Sequence, residues 1–221
     1  MLFVLDALLL IINFNSPAAM PRGFNFKSPF LNIIEKRLRR RVEYINQRGK
    51  LMTKPISVSL PYPSLQGIGE DKKSAALLGS IYAGRHGELK AILQYVYHYF
   101  FFKKLGDEKT AQTVLGIAVS EMHHLDVLGE LMLELGADPV FFSPTLFGCE
   151  GPIAGVSYSK TKEKMLIDDI TGELVAINEY TKITETLNNE RVEAVLKRIV
   201  IDEELHVKVL KERLSTCKVG F

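Results

Sequence analysis

The chain has 221 residues, of which 47% are hydrophobic and 24% charged, so it is long enough to bury a full core and does not have the composition of a disordered protein. Its two cysteines, Cys149 and Cys217, are far apart and form no Cys-x-x-Cys pair, which excludes a zinc or iron site built on thiolates. Any bound metal must therefore take oxygen and nitrogen ligands.

The formal net charge of +2 is unevenly distributed. Residues 1–51 carry nine Lys and Arg against three Asp and Glu, whereas residues 52–221 carry 19 against 23. We interpret the basic cluster from Lys36 to Arg41 as a solvated helix face, so we expect no nucleic-acid partner. The apolar stretch 1–14 is too short to span a bilayer and no basic residue precedes it, so we expect a cytoplasmic protein without a membrane segment or targeting signal.

Composition divides the chain into three parts. Residues 1–72 form a partly basic N-terminal extension, residues 73–215 carry the regular pattern, and residues 216–221 form a short tail. Because the composition changes abruptly near Met52, a native start at Met20 or Met52 is an alternative to the start as written.

Long proline-free runs predict helix one over 73–104 and helix two over 109–135. Helices three and four follow at about 162–186 and 190–215. The segment 137–160, which is rich in Pro, Gly and aromatic residues, predicts a long ordered crossover between helices two and three. Short loops join antiparallel neighbours, so the pattern predicts an all-α four-helix bundle with one long crossover.

The two halves of this bundle repeat one motif. The pattern Glu-Leu-x-Ala-Ile-x-x-Tyr occurs at 88–95 in helix one and at 173–180 in helix three, and a Glu-x-x-His pair follows in helices two and four. The recurring residues are Glu88, Tyr95, Glu121 and His124 in the first half, and Glu173, Tyr180, Glu203 and His206 in the second. A hairpin with the same polar residues is therefore present twice.

The Glu-x-x-His pairs are predicted to point into the core. Residues three apart on a helix share a face, so each pair can bind one metal ion. The same faces carry apolar residues, with Ile117 one turn before Glu121 and Ile199 one turn before Glu203. A carboxylate in an apolar core is unfavourable by several kcal/mol unless it is paired or binds a metal.

The heights of the glutamates along the bundle agree with a common site. Glu88 and Glu121 lie about 17 and 16 residues from the first turn, and Glu173 and Glu203 lie about 15 residues from the second, so at 1.5 Å per residue all four share one layer. Such a set is typical of bundles that hold two metal ions. The predicted metal ligands are Glu88, Glu121, His124, Glu173, Glu203 and His206.

Tyr95 and Tyr180 lie on the same faces as their glutamates, seven residues further along. They either donate hydrogen bonds to ligating carboxylates or are ordinary core tyrosines, and both alternatives stay open. His98 fits the ligand layer poorly. Asp126 and Asp169 are interpreted as solvated or ion-paired residues rather than ligands.

The doubled motif resembles that of the ferritin-like superfamily, specifically the non-haem manganese catalases, rubrerythrins and bacterioferritins, over about residues 75–214. The interval of 30 residues from Glu173 to Glu203 is similar to the catalases, whereas the 33 from Glu88 to Glu121 is similar to bacterioferritin and rubrerythrin. The catalase resemblance implies that Glu203 handles protons instead of binding metal directly. The tyrosines and Glu203 are then the candidate catalytic residues.

The resemblance also implies a function. We expect a dinuclear oxidoreductase with two iron or manganese ions that acts on hydrogen peroxide as a catalase or peroxidase. Because the chain lacks a rubredoxin module, a peroxidase of this kind would need an external electron donor. The alternatives are a ferroxidase that uses dioxygen and stores iron, and a coat-type structural protein that its metals stabilise. In each case we expect a homo-oligomer.

Overall fold

The computed structural model describes residues 53–141, 143–145, 148–150 and 152–217. The expectations about the basic cluster, the apolar N-terminal stretch and the native start concern residues outside this part of the chain. Within the described residues, no helix combines the length and the apolar character needed to cross a bilayer.

The described residues form a helical bundle, as predicted. Its helices are α1 (Lys72–Ala83), α2 (Glu88–Lys104), α3 (Glu108–Glu134), α4 (Lys162–Thr186) and α5 (Glu190–Cys217). The crossover from α3 to α4 contains a small antiparallel pair, β1 (Ser143–Thr145) with β2 (Gly148–Glu150), and a 3₁₀ helix (Pro152–Gly155). Strands of three residues are too short for an alternating pattern, so the sequence did not predict them.

The helix that the sequence predicts as one continuous run is interrupted between α1 and α2. The chain turns so tightly there that a Cβ at Gly84 would lie 2.4 Å from the Ser80 carbonyl oxygen, and one at Gly87 would lie 2.6 Å from that of Ile81. Both α1 and α2 contact α3 and α4, so together they take the place of a single helix. The interruption also puts Glu88 in the first turn of α2, where the helix dipole favours a carboxylate.

Helix α3 begins after a tight turn at Gly106, whose φ of 72° suits glycine. Asp107 caps the helix by accepting a hydrogen bond of 3.1 Å from the backbone N–H of Thr110, and its Oδ2 lies 3.3 Å from Lys162 Nζ. Burial raises the pKa of Asp107, but the Thr110 hydrogen bonds and the Lys162 ammonium outweigh this and lower it. The cap therefore joins the first hairpin to the start of α4.

The apolar core consists of two clusters of side chains. Representative members of the first are Leu78, Leu128, Leu131, Leu196 and Ile199, and of the second Phe102, Val114, Ile117, Met165 and Leu210. On α3, Glu121 and His124 lie between Ile117 of one cluster and Leu128 of the other. A buried polar layer therefore separates two apolar layers.

An extended segment, residues 53–71, packs along α3 and α5, and we call it the strap. The Ile56 N–H donates to the Gly116 carbonyl oxygen at 3.2 Å, and a Cβ at Gly116 would lie only 3.0 Å from Ile56 Cγ1. On α5, the Arg198 guanidinium donates to the Val58 carbonyl oxygen at 2.9 Å. The strap, which falls within the predicted N-terminal extension, is thus hydrogen-bonded to the bundle.

We expect Asp107→Ala to lower the free energy of unfolding by about 1 kcal/mol, because the first turn of α3 loses its side-chain acceptor. For a chain of this size the melting temperature should fall by about 2–4 °C in a thermal scan. Glu130→Ala, at an exposed position on the same helix, is the control and should change the melting temperature much less. Equal melting temperatures for Asp107→Ala and the wild type would contradict the capping role.

Candidate metal centre

The structure brings all six predicted ligands together in the polar layer. They form two overlapping groups, in each of which the candidate ligand atoms lie within 4.8 Å of one another. The first group is Glu88, Glu121, His124 and Glu203, and the second is Glu121, Glu173, Glu203 and His206. All six side chains are buried.

Glu121 and Glu203 belong to both groups and contact both histidines. His124 Nδ1 lies 2.9 Å from Glu121 Oε2 and 3.0 Å from Glu203 Oε1. His206 Nδ1 lies 3.0 Å from Glu121 Oε1 and 3.2 Å from Glu203 Oε2. Each carboxylate therefore offers one oxygen to each half of the site, which is the geometry of a bridge between two ions.

The other two glutamates each belong to one half. Glu88 Oε2 lies 3.8 Å from His124 Nδ1, and Glu173 Oε1 lies 3.7 Å from His206 Nδ1. These are the terminal positions of a site with approximate two-fold symmetry, and they follow the duplication seen in the sequence.

The donor set fits a pair of metal ions. Glu121 Oε1 and Glu203 Oε1 are buried without any hydrogen bond, although each lies 3.0 Å from a histidine nitrogen. A buried carboxylate oxygen without a hydrogen bond is unfavourable, and coordination to a cation removes that penalty. Carboxylate and imidazole ligands suit divalent iron, manganese and zinc.

Without metal, the six groups must share protons. Burial raises the pKa values of Glu88 and Glu173, and the Glu121 and Glu203 carboxylates raise them further. Burial also acts to raise the pKa of Glu203, but the His124 and His206 imidazoles bring it down to about 2. The four carboxylates are therefore of two kinds, with the central pair ionised more readily than the terminal pair.

The pKa values of both histidines lie well above the ordinary value. Burial lowers the pKa of His124, but the Glu203, Asp202 and Glu121 carboxylates together raise it more. His206 follows the same pattern, with Glu121 as the main raising group. In the metal-free protein the imidazoles therefore carry positive charge between the carboxylates, where the metal ions would otherwise supply it.

The hydrogen bond on the far side of each histidine ring determines which ring nitrogen is available to a metal ion. His206 Nε2 lies 2.8 Å from the Ile56 carbonyl oxygen, and His124 Nε2 lies 3.3 Å from Asp202 Oδ2. Both partners only accept hydrogen bonds, so with metal bound each Nε2 would keep its hydrogen and each Nδ1 would face a metal ion. These contacts orient the rings and set their tautomers.

Tyr95 and Tyr180 lie on the ligands of the opposite half. The Tyr95 hydroxyl donates to Glu173 Oε1, and the Tyr180 hydroxyl donates to Glu88 Oε1. Burial raises the pKa of each phenol, and the carboxylate it faces raises it further, so both stay protonated as donors. Each tyrosine thus ties the terminal glutamate of one half to the helix of the other.

Asp202 is a residue that the sequence analysis missed. Its carboxylate accepts hydrogen bonds from the Val58 N–H at 2.7 Å and the Tyr62 hydroxyl at 2.9 Å, and lies 3.0 Å from Arg198 Nη1. Burial raises its pKa, but these groups and His124 outweigh it and lower the pKa to about 2. Asp202 therefore links His124 to the strap. The only sequence signal was its position beside Glu203.

A small cavity of about 20 Å³ borders the site between α2 and α4, with room for a molecule of a few atoms. Its walls include Glu88 and Glu173 from the ligand set, and also Lys90, Gln94 and Asp169. Burial lowers the pKa of Lys90, and the Asp169 and Glu173 carboxylates offset part of that decrease. Nothing in the sequence singles out Lys90, because a single lysine on a helix usually lies in solvent.

Other polar residues lie outside the two ligand groups. Asp169 is buried and not solvated: its Oδ1 accepts from Gln94 Nε2 and lies 2.8 Å from His98 Nδ1. Asp126 is exposed, as expected.

We expect Asp202→Asn to destabilise the metal-free protein by about 1–3 kcal/mol at pH 7, because the Arg198 guanidinium loses its buried partner. The pKa of Asp202 is lowered from 3.8 to about 2 on folding, so its stabilisation is complete above about pH 4 and is lost as the pH falls through 2. Denaturant unfolding from pH 7 to pH 2 should therefore show the two proteins converging in acid. Asp126→Asn is the exposed control, and a difference that did not depend on pH would contradict the assignment.

Comparisons with known proteins agree with this fold. The sequence profile of the ferritin-like domain matches residues 85–219. A bacterioferritin from Rhodobacter capsulatus, whose structure at 2.6 Å has a metal-free dinuclear site and a heme iron, is similar in fold, with a TM-score of 0.58 and 22% identity over 68% of this chain and 88% of that one. No match was found among the curated proteins. Because the profile covers more than half of the chain, the chain belongs to the ferritin-like family.

Proposed function

We propose that the chain is a dinuclear redox enzyme that binds two iron or manganese ions and reacts with hydrogen peroxide. The observation that carries the proposal is the contact of Glu121 and Glu203 with both histidines through opposite oxygens. A single ion needs no such pair of shared carboxylates, whereas two ions held close together do.

The ligand assignment follows from the two groups. Glu88 and His124 would hold one ion, Glu173 and His206 would hold the other, and Glu121 would contact both. Glu203 occupies a position equivalent to that of Glu121, which supports a bridging ligand over the separate proton-handling role that the catalase resemblance implies. The tyrosines then act by holding the terminal glutamates, and not as redox groups.

The chemistry uses both ions together. When bound, the two ions supply one electron each, so a peroxide takes up two electrons and two protons and leaves as two water molecules. The residues around them contribute burial, which excludes bulk water, and a cavity that admits only small molecules. A catalase would regain the electrons from a second peroxide, and a peroxidase from an external donor.

Iron is the first metal to test, because the similar fold of a bacterioferritin supports it, although oxygen and imidazole ligands suit manganese as well. The same similarity supports a second candidate function, ferroxidase activity with dioxygen in an iron-storing homo-oligomer. Both functions use the same ligands and differ in the oxidant and in the fate of the iron. A cytoplasmic location is part of either proposal.

We expect the full chain to bind two metal ions and Glu121→Ala to lose most of both, because Glu121 contacts both halves of the site. Glu130→Ala, an exposed position on the same helix, is the matched control and should keep both ions. Elemental analysis after loading and desalting measures the stoichiometry. Unchanged metal content in Glu121→Ala would show that the ligand assignment is wrong.

Anaerobic mixing of the reduced, metal-loaded protein with hydrogen peroxide should oxidise both ions with one equivalent of peroxide, as followed by absorbance. If the enzyme is a catalase, excess peroxide should also release oxygen, which an oxygen electrode detects. Reaction with dioxygen alone, accompanied by uptake of many irons into a large assembly seen by light scattering, would favour the ferroxidase. Loss of thermal stability on chelation without turnover of either oxidant would favour the coat-type alternative.

A further inference from the structure

The cavity beside the metal centre contains a buried cation that the ligand set does not use. Lys90 follows Glu88 by two residues on α2, and its side chain is only 7% exposed. Within the described part of the chain, its ammonium has no hydrogen bond and no ion pair within 4.0 Å. Because Lys90 also lines the cavity, its ammonium can donate a hydrogen bond to a small molecule that enters it.

The opposite wall leaves space for this ammonium. Gly172 lies in the interior of α4, one residue before Glu173, and a Cβ there would lie 3.4 Å from Lys90 Nζ. A Cβ at this distance would be in ordinary van der Waals contact with the ammonium. Gly172 therefore leaves the cavity wall beside Lys90 without a side chain.

A hydrogen-bond acceptor lines the same cavity. Asp169 uses Oδ1 to accept from Gln94 Nε2 at 2.8 Å, and its Oδ2 is buried without a hydrogen bond. Gln94 is itself held in place by the crossover, because its Oε1 accepts from the Ser157 N–H at 2.9 Å. A fixed acceptor and an unpaired donor therefore lie together beside the metal centre.

We propose that Lys90 and Asp169 form the binding site for hydrogen peroxide, with the ammonium donating to one oxygen and the Asp169 carboxylate accepting the hydroxyl hydrogen. This inference rests on the proposed function and deepens it by choosing between the two oxidants. Peroxide is a small molecule with both a donor and an acceptor, and its deprotonated form is an anion. Dioxygen has no hydrogen to donate and no charge, so it gains little from either residue.

The test uses azide, a small monoanion that binds ferric ions and accepts hydrogen bonds but has no hydrogen to donate. In the iron-loaded and oxidised protein, the azide-to-iron absorbance band gives the dissociation constant. Lys90→Met should weaken azide binding at least about tenfold, since a charge-assisted hydrogen bond is lost. Lys103→Met, at an exposed position on the same helix, should leave it unchanged.

The variant Asp169→Asn separates the acceptor role of Asp169 from the donor role of Lys90. It should leave azide binding equal or tighter, because azide donates nothing to the carboxylate, yet raise the KM for hydrogen peroxide by at least about fivefold. Oxidation of the reduced protein by dioxygen should change less than about twofold in both variants.

The outcomes distinguish this inference from the proposed function. A wild-type chain that binds no metal pair removes the proposed function itself. Two bound ions together with an unchanged azide dissociation constant in Lys90→Met overturn only the peroxide site. If Lys90→Met does not retain metal, Lys90→Gln replaces it in the titration. Loss of the ions in both variants would show that Lys90 balances charge in the site and would also overturn the inference.

Discussion

The placement of four carboxylates and two imidazoles between two apolar clusters constrains much of the rest of this protein. Each of those groups loses water on folding and must recover its interactions inside the bundle. On the inner face the groups contact one another, and bound metal ions would satisfy the oxygens that have no hydrogen bond, whereas the outer face needs partners of its own. Tyr95 and Tyr180 supply them for the terminal glutamates, and Asp202 and the Ile56 carbonyl supply them for the histidines.

The two halves of the site are not identical, and they differ in the group that accepts the hydrogen bond from Nε2 of each histidine. His124 donates from Nε2 to a carboxylate, whereas His206 donates from Nε2 to a backbone carbonyl. A carboxylate partner makes an imidazole the more basic ligand, so an ion on the His124 side would receive more electron density than its neighbour. Two ions held by these chemically similar ligands would therefore differ in reduction potential. The cavity beside Lys90 borders the site between α2 and α4.

The helices and the repeated ligand set could be predicted from the sequence, whereas the break between α1 and α2 and the position of the strap could not. The helices have long periodic patterns, and the ligand set occurs twice at matched heights, so Glu88 and its counterpart Glu173 stand out. The interruption before α2 depends on close backbone contacts at Gly84 and Gly87, which no periodicity reports. The strap is extended and meets α5 about 140 residues away in sequence, as in the Val58 contact with Asp202, so its role emerges only from the fold.

The strap contributes no ligand atom, and yet the Ile56 carbonyl oxygen decides which nitrogen of His206 is free to bind metal. The hydrogen-bonded surroundings of the candidate metal centre therefore extend beyond the helical bundle. A fragment cut at the start of α1 would retain every candidate ligand but lose the acceptor that holds the Nε2 hydrogen of His206. Expression boundaries chosen from helix positions alone would thus keep the ligands and discard part of the hydrogen bonding behind them.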